Sequence, residues 1–220
     1  MAGLFTSSIG KKVIMSVTGL FLITFLLIHL TINLMTLFGP EAFNKAAIFM
    51  ETNTVIKIVE PVLALGFIFH IIYSVILYFQ NRSARPVRYS KVNQKNASSW
   101  ESRNMLILGL AVFAFLIVHL INYWYKFKFT DIIESGEMTQ YEIVTSIMVP
   151  EYWYYIVIYI AGFIFLGLHL NHAFHSAFQT LGINNKYWLP RLKVIGAVYA
   201  LIITLGFSAI PIYFLIQKII

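Results

Sequence analysis

The stretch VIMSVTGLFLITFLLIHLTINLMTL, residues 13–37, contains no Asp, Glu, Lys or Arg and one histidine, His29. About 20 apolar residues are enough for an α-helix to cross the hydrocarbon core of a bilayer. Four further stretches reach the same length. The sequence therefore predicts an all-α integral membrane protein with a bundle of five transmembrane helices, at about Val13–Leu37, Ile56–Phe79, Met105–Tyr125, Tyr152–Phe178 and Leu192–Ile216.

The composition of the whole chain also favours a membrane protein over a soluble one. Of its 220 residues, 59% are hydrophobic and only 11% are charged, whereas an ordinary soluble domain has about 25% charged residues. The polar breaks are short, so we expect a single membrane-anchor domain, residues 1–220. The N-terminus has no A-x-A-like cleavage site and its apolar run is too long for a signal peptide, so Met1 is expected near the mature start.

Cysteine is absent from the chain. This excludes disulfides, zinc–thiolate sites, iron–sulfur ligation and covalent haem attachment on this chain, so any metal must be bound by histidine or oxygen ligands. The net charge of +7 comes from basic residues in loops beside the spans. That distribution indicates membrane topology and not a nucleic-acid partner.

The basic residues divide unevenly between the two sides of the predicted bundle. One side has eleven: Lys11, Lys12, Arg82, Arg85, Arg88, Lys91, Lys95, Arg103, Lys186, Arg191 and Lys193. The other side has only five: Lys45, Lys57, Lys126, Lys128 and Lys218. Most of the acidic residues lie on this second side. The positive-inside rule therefore predicts a cytoplasmic N-terminus and an extracytoplasmic C-terminus.

Polar and aromatic residues outside the apolar stretches complete this topology. Aromatic clusters such as Tyr123–Tyr125 and Tyr152–Tyr155 fall where a span is expected to meet the lipid headgroups. The connection from Phe127 to Pro150 is polar enough to be a surface loop or an interfacial helix.

All six histidines lie inside predicted spans: His29, His70, His119, His169, His172 and His175. Ionisable side chains in a membrane are costly and commonly functional, although a lone one can hydrogen-bond a neighbouring helix. The first four helices each have one histidine about two thirds of the way along. Because successive helices run in opposite directions, His29 and His119 fall at one depth near the outer face. His70 and His169 fall at another, near the cytoplasm, more than about 10 Å away.

Two pairs of histidines at two depths predict two b-type haems. Bis-imidazole ligation takes one histidine from each of two facing helices, whereas zinc favours three or four ligands at one point. Glycines on the same four helices would leave room for a flat macrocycle or would serve ordinary helix packing: Gly19, Gly66, Gly109, Gly162 and Gly167.

Three further residues have open roles. His172 and His175 follow His169 in steps of three, so the three cannot all face one cofactor. Four roles are open for His172: a haem-propionate partner, a contact for a soluble subunit, a quinone ligand or an interfacial residue. His175 is interpreted as an interfacial residue. Glu60 precedes Pro61, which is interpreted as a first-turn proline. Glu60 itself is either a proton acceptor for a quinol or a first-turn or snorkelling charge.

Four segments resemble one family. They are SIGKKVIMSVTGLFLITFLLIHLTINL (8–34), EPVLALGFIFHIIYSVILY (60–78) followed by RSARPVRY (82–89), GLAVFAFLIVHLINYW (109–124) and GLHLNHAFHSAFQTLGI (167–183). Together they resemble the cytochrome b membrane anchor of succinate:quinone oxidoreductases. The type in question is the single-chain, five-helix, two-haem anchor of bacterial succinate dehydrogenases and menaquinol:fumarate reductases.

The resemblance implies specific haem ligands. His29 and His119 would be the axial iron ligands of the distal haem b, and His70 and His169 those of the proximal haem b. His172 would be a secondary contact.

The resemblance also implies partners and a location. The anchor would lie in the bacterial cytoplasmic (inner) membrane and bind an iron–sulfur subunit, which in turn binds an FAD flavoprotein. The chain would pass electrons to or from a membrane quinone, by resemblance menaquinone. Succinate chemistry would take place on the flavoprotein and not on this chain.

Three alternatives remain at the level of sequence. Cytochrome b anchors of hydrogenases or formate dehydrogenases also bind haem between histidine pairs. The H-x-x-H-x-x-H pattern of His169–His175 faintly resembles a non-haem di-iron membrane oxidase, which needs about eight clustered histidines. A transporter without a cofactor is the third alternative.

Overall fold

The computed structural model describes residues 3, 5, 7–84 and 99–219, and all regular structure in those residues is helical. It contains five helical segments that are long and apolar enough to cross a membrane, which confirms the predicted number: Ser8–Phe38, Thr54–Ser83, Met105–Phe129, Pro150–Thr180 and Trp188–Lys218. Of the basic residues behind the predicted orientation, Arg85, Arg88, Lys91 and Lys95 lie outside the described residues.

Nine α-helices occur in the described residues. Those of the five spans are α1 (Ser8–Leu34), α3 (Thr54–Ser83), α5 (Met105–His119), α8 (Trp153–Thr180) and α9 (Trp188–Ile219). The shorter ones are α2 (Pro40–Thr52), α4 (Trp100–Arg103), α6 (Tyr125–Phe129) and α7 (Gln140–Thr145). Short 3-10 helices, Met35–Phe38 and Pro150–Tyr152, extend the first and fourth spans, and a π-helical turn, Leu120–Trp124, joins α5 to α6.

Helices α1 and α3 begin earlier than the predicted apolar stretches because their polar caps lie outside those stretches. Ser7 accepts a hydrogen bond from the backbone N–H of Gly10 at the start of α1. Asn53 accepts from the first N–H groups of α3. Side-chain oxygens at this position satisfy backbone donors that have no partner within the helix.

The start of α3 corrects the interpretation of Pro61 and Glu60. The helix begins at Thr54, so Pro61 lies inside it and not in its first turn. Glu60 is therefore not a first-turn charge. A proline inside a helix removes one backbone hydrogen bond, which a membrane helix tolerates when its neighbours satisfy the freed groups.

The fourth and fifth spans pack most extensively against each other, and α1 contacts α3, α8 and α9. At one close approach, the Tyr199 hydroxyl donates to the backbone oxygen of Ile23, 2.6 Å away, and so links the fifth span to the first. Gly206 leaves room for Leu30, because a methyl group at this glycine would lie 2.8 Å from Leu30 Cδ2. These contacts hold the first, fourth and fifth spans together as the centre of the bundle.

The connection between the third and fourth spans, predicted as a surface loop or an interfacial helix, contains a short helix that packs into the core. It contains α7, whose Ile143 is fully buried, and its apolar stretch Ile143–Met148 joins the core. Thr139 and Glu142 form a capping box that starts α7. Asn44 of α2 accepts a hydrogen bond from the backbone N–H of Tyr141 at 2.8 Å. Helices α2 and α7 thus close the C-terminal end of the bundle.

Ile143 is expected to stabilise this closed end. Ile143→Ala should lower the free energy of unfolding by about 2–5 kcal/mol, the usual cost of truncating a fully buried aliphatic side chain. Ile48→Ala on the neighbouring helix α2 is the matched control, because Ile48 is 48% exposed. Thermal unfolding in one detergent compares the two variants. Equal melting temperatures would contradict the burial of Ile143.

Candidate functional site

The first histidine pair consists of His29, on α1, and His119, the last residue of α5. Their ring centroids are 5.7 Å apart, and the ring planes are perpendicular, at 89°. Aromatic rings surround the pair: Phe25 stacks on His29 at 5.1 Å, and Phe207 of the fifth span lies 5.7 Å from the same ring. Tyr123 lies 5.2 Å from His119.

The second pair consists of His70, on α3, and His169, on α8. Their ring centroids are 6.4 Å apart, with 74° between the planes. Glycines flank this pair. A methyl group at Gly19 would lie 3.4 Å from Cε1 of His70, and one at Gly109 would lie 3.8 Å from Cε1 of His169. The structure thus brings together the same histidines that the sequence predicts to lie at one depth of the membrane.

The two pairs lie at separate levels of the bundle. The hydroxyl oxygen of Thr18 is 3.5 Å from Nδ1 of His70, and Thr18 precedes His29 by eleven residues on α1. At 1.5 Å per residue this corresponds to about 16 Å along the helix. On α5, Gly109 faces His169 and precedes His119 by ten residues, which gives about 15 Å.

The polar partners of the imidazoles differ within each pair. The Thr18 hydroxyl oxygen lies 3.5 Å from Nδ1 of His70 and can accept a proton held on that nitrogen. A proton held there leaves Nε2 unprotonated and able to bind a metal. By contrast, Nδ1 of His119 and of His169 is buried without a hydrogen-bond partner among the described residues. Such orphaned groups are rare in folded proteins and call for an explanation.

The two imidazoles of each pair could serve as the two axial donors of one haem iron. A metal bound by two imidazole nitrogens at about 2 Å each separates the ring centroids by roughly 6 Å, close to both observed distances. Within the described residues, no three His, Cys, Asp or Glu side chains are grouped to bind one metal ion. Two nitrogens per site, each from a different span, fit bis-imidazole haem ligation better than zinc.

The five glycines separate into two groups. Gly19 and Gly109 face the second histidine pair. The other three face side chains that are not histidines, and therefore serve helix packing: Gly66 faces Phe21, Gly162 faces Phe115 and Gly167 faces Thr204.

His172 and His175 pair with each other and not with a histidine of another span. Their ring centroids are 5.1 Å apart, and Nδ1 of His172 is buried without a partner in the described part of the chain. Next to them, Asn171 donates to Glu101 at 3.4 Å. Hydrogen bonds from its own backbone N–H, from Ser99 and from Asn171, with a smaller contribution from His172, lower the pKa of Glu101 below its ordinary value.

Glu60 forms a contact between the second and third spans. Its carboxylate accepts hydrogen bonds from Lys128, 3.0 Å away, and from the indole N–H of Trp124, 3.4 Å away. About 40% of each charged side chain is exposed. Glu60 is therefore a paired charge at the edge of the bundle, next to the turn that follows His119.

Sequence reasoning missed the residues around the imidazoles. Tyr123 was grouped with the aromatic belt, yet it is buried at 8% exposure, whereas Trp124 and Tyr125 are exposed. Tyr123 lies in the π-helical turn, which the sequence does not predict and which sets the direction of its side chain. Thr18 could have been found, because it lies on the same helix as His29 three turns nearer the N-terminus, at the depth expected for His70.

Comparison with known proteins identifies no relative. No protein-family model, no curated protein and no solved structure matches the chain.

Proposed function

We propose that this chain is the two-haem cytochrome b anchor of a succinate:quinone oxidoreductase. The observation that carries the proposal is the arrangement of four histidines as two facing pairs, with ring centroids 5.7 and 6.4 Å apart. Both distances suit two axial ligands on one iron. The separation of the pairs by about 15 Å along the helices suits two cofactors stacked across a membrane.

The residues around each pair have separate tasks in this proposal. Bound between the pairs, two b haems would supply one-electron carriers at two depths. Thr18 would hold the Nδ1 proton of His70 and so leave Nε2 free to bind the iron. Gly19 and Gly109 leave space beside the imidazoles of the second pair. Phe25 and Phe207 exclude water from His29.

The partners and the orientation belong to the same proposal. The N-terminal end of the bundle is cytoplasmic and binds the iron–sulfur subunit, which binds the FAD flavoprotein. The quinone is a menaquinone, and the membrane is the bacterial cytoplasmic membrane. Support comes from the resemblance of the four segments and from the basic residues Lys11, Lys12, Lys186, Arg191 and Lys193 at that end.

The other candidates have less support. A di-iron oxidase needs clustered ligands, and the described histidines form pairs with no third His, Cys, Asp or Glu grouped for one metal ion. An anchor of a hydrogenase or formate dehydrogenase would also use histidine pairs. The segments around His29 and His169 favour the succinate:quinone oxidoreductase.

Substitution of the four histidines tests the pairs directly. His29→Ala and His119→Ala should each remove one and the same haem, and His70→Ala and His169→Ala the other, because an iron with one axial imidazole is weakly held. Haem per chain and the surviving midpoint potential identify which haem is lost. His175→Ala is the control and should retain both. If His169→Ala keeps two haems while His172→Ala loses one, the ligand on α8 is His172.

Isolation of the complete complex tests the enzyme assignment. The chain should co-purify with an iron–sulfur subunit and a flavoprotein, and succinate should reduce part of its haem. Haem that is reduced by hydrogen or formate in a complex that is inert to succinate would support the other anchors instead.

Enlargement of the glycines tests the space beside the second pair. Gly19→Leu and Gly109→Leu should both lower the occupancy of the haem bound by His70 and His169, because each added side chain points at one of these rings. Gly66→Leu is the control: it crowds Phe21 and not a histidine. Haem per chain, measured on protein that remains monodisperse in detergent, separates a local effect from a packing defect. A uniform loss in all three variants would contradict the assignment.

A further inference from the structure

Buried polar side chains lie directly beside His119. The π-helical turn Leu120–Trp124 follows this histidine, and the N–H of Tyr125 bonds to the carbonyl of Leu120, five residues back and not four. Asn122 and Tyr123 are buried in this turn, whereas its other residues are exposed. Single π-helical turns within α-helices are frequent at functional sites.

Two hydrogen bonds fix these side chains and Tyr159 of α8. The Asn122 amide donates to the Tyr159 hydroxyl at 3.3 Å, and the Tyr123 hydroxyl donates to the backbone oxygen of Val144 at 3.3 Å. Both hydrogen bonds are buried, where a hydrogen bond is electrostatically stronger than in water.

The same two phenol rings hold His119. The ring centroid of Tyr123 is 5.2 Å from that of His119, at 68° between the planes, and the centroid of Tyr159 is 6.2 Å away, at 57°. Phe115 lies 6.0 Å from His119. The hydroxyl of Tyr123 connects this aromatic enclosure to the residue Val144 in helix α7. Rotation of the imidazole would thus require displacement of three packed rings.

The second histidine pair has no comparable enclosure. Among the described residues, the only aromatic ring contacts of His70 and His169 are with each other, and glycines lie beside them. The polarity around the two pairs is consequently different. Hydrogen bonding and polarity near a haem are among the factors that set its reduction potential.

We propose that Tyr123 and Tyr159 are positioning residues for His119, which fix the plane of its imidazole and set the reduction potential of the haem at the first pair. The inference rests on the proposed function. It adds two residues that touch an axial ligand and not the iron. It also assigns a role to the π-helical turn, which places the ring of Tyr123 against the imidazole of His119.

Tyr123→Phe and Tyr159→Phe, prepared in the complete complex, test this inference. Each should retain two haems, since no iron ligand is lost. One of the two midpoint potentials should rise, because a less polar site disfavours the positively charged ferric form. The expected size is about a tenfold change in the oxidised-to-reduced ratio, which is about 59 mV for a one-electron couple. The low-spin ferric EPR signal of the same haem should shift, because it depends on the angle between the two axial imidazoles.

Two tyrosines provide matched controls. Tyr155 lines the same crevice as Tyr123 and Tyr159, but its hydroxyl takes part in neither of the two hydrogen bonds. Tyr199 has a hydroxyl that donates to the backbone of another span, far from His119 in sequence. Tyr155→Phe and Tyr199→Phe should leave both potentials and both EPR signals unchanged, although Tyr199→Phe should lower the melting temperature.

Distinct results overturn distinct claims. Two haems with unmoved potentials and EPR signals in both tested variants would overturn the inference alone. Equal shifts of both haems would also overturn it, because a change restricted to His119 cannot produce them. If Tyr123→Phe does not accumulate, Tyr159→Phe decides by the same readouts. A wild-type complex without haem would overturn the proposed function and this inference together.

Discussion

Imidazole rings placed inside apolar helices are the constraint on which the rest of this structure depends. Hydrocarbon offers them no hydrogen bond, so each ring must find a partner from another helix or from a ligand. The bundle supplies neighbours for four of them in two pairs, at two levels. Nδ1 of one histidine in each pair nevertheless has no partner among the described residues. In the proposed function, a cofactor bound through the other ring nitrogens would be the reason why costly groups are retained at these positions.

The two levels are built by different means. The pair of His29 and His119 is enclosed by aromatic rings from several helices and borders the closed end formed by α2 and α7. The pair of His70 and His169 is flanked by glycines, and Thr18 lies beside His70. Two chemically identical haems in such unequal surroundings would have different potentials, as a directional electron path requires.

Much of this architecture could be predicted from the sequence because it depends on the length of the apolar stretches and on the alternating direction of successive helices. Five apolar stretches gave the number of spans, and the position of one histidine along each of four helices placed His29 level with His119. The rest depends on local geometry. The caps at Ser7 and Asn53 lie in polar sequence, so the early starts of α1 and α3 and the interior position of Pro61 were missed. Tyr123 resembled a belt residue until the π-helical turn placed it in the core.

The account can be tested most directly by the haem content and the reduced-minus-oxidised spectrum of the purified wild-type chain. The account predicts two haems per chain, both with the bands of low-spin b-type haem, because each iron would have two imidazole ligands. Colourless protein that remains folded and monodisperse would contradict it. So would a single haem per chain that persists after reconstitution with excess haem, since the four histidines would then form only one site.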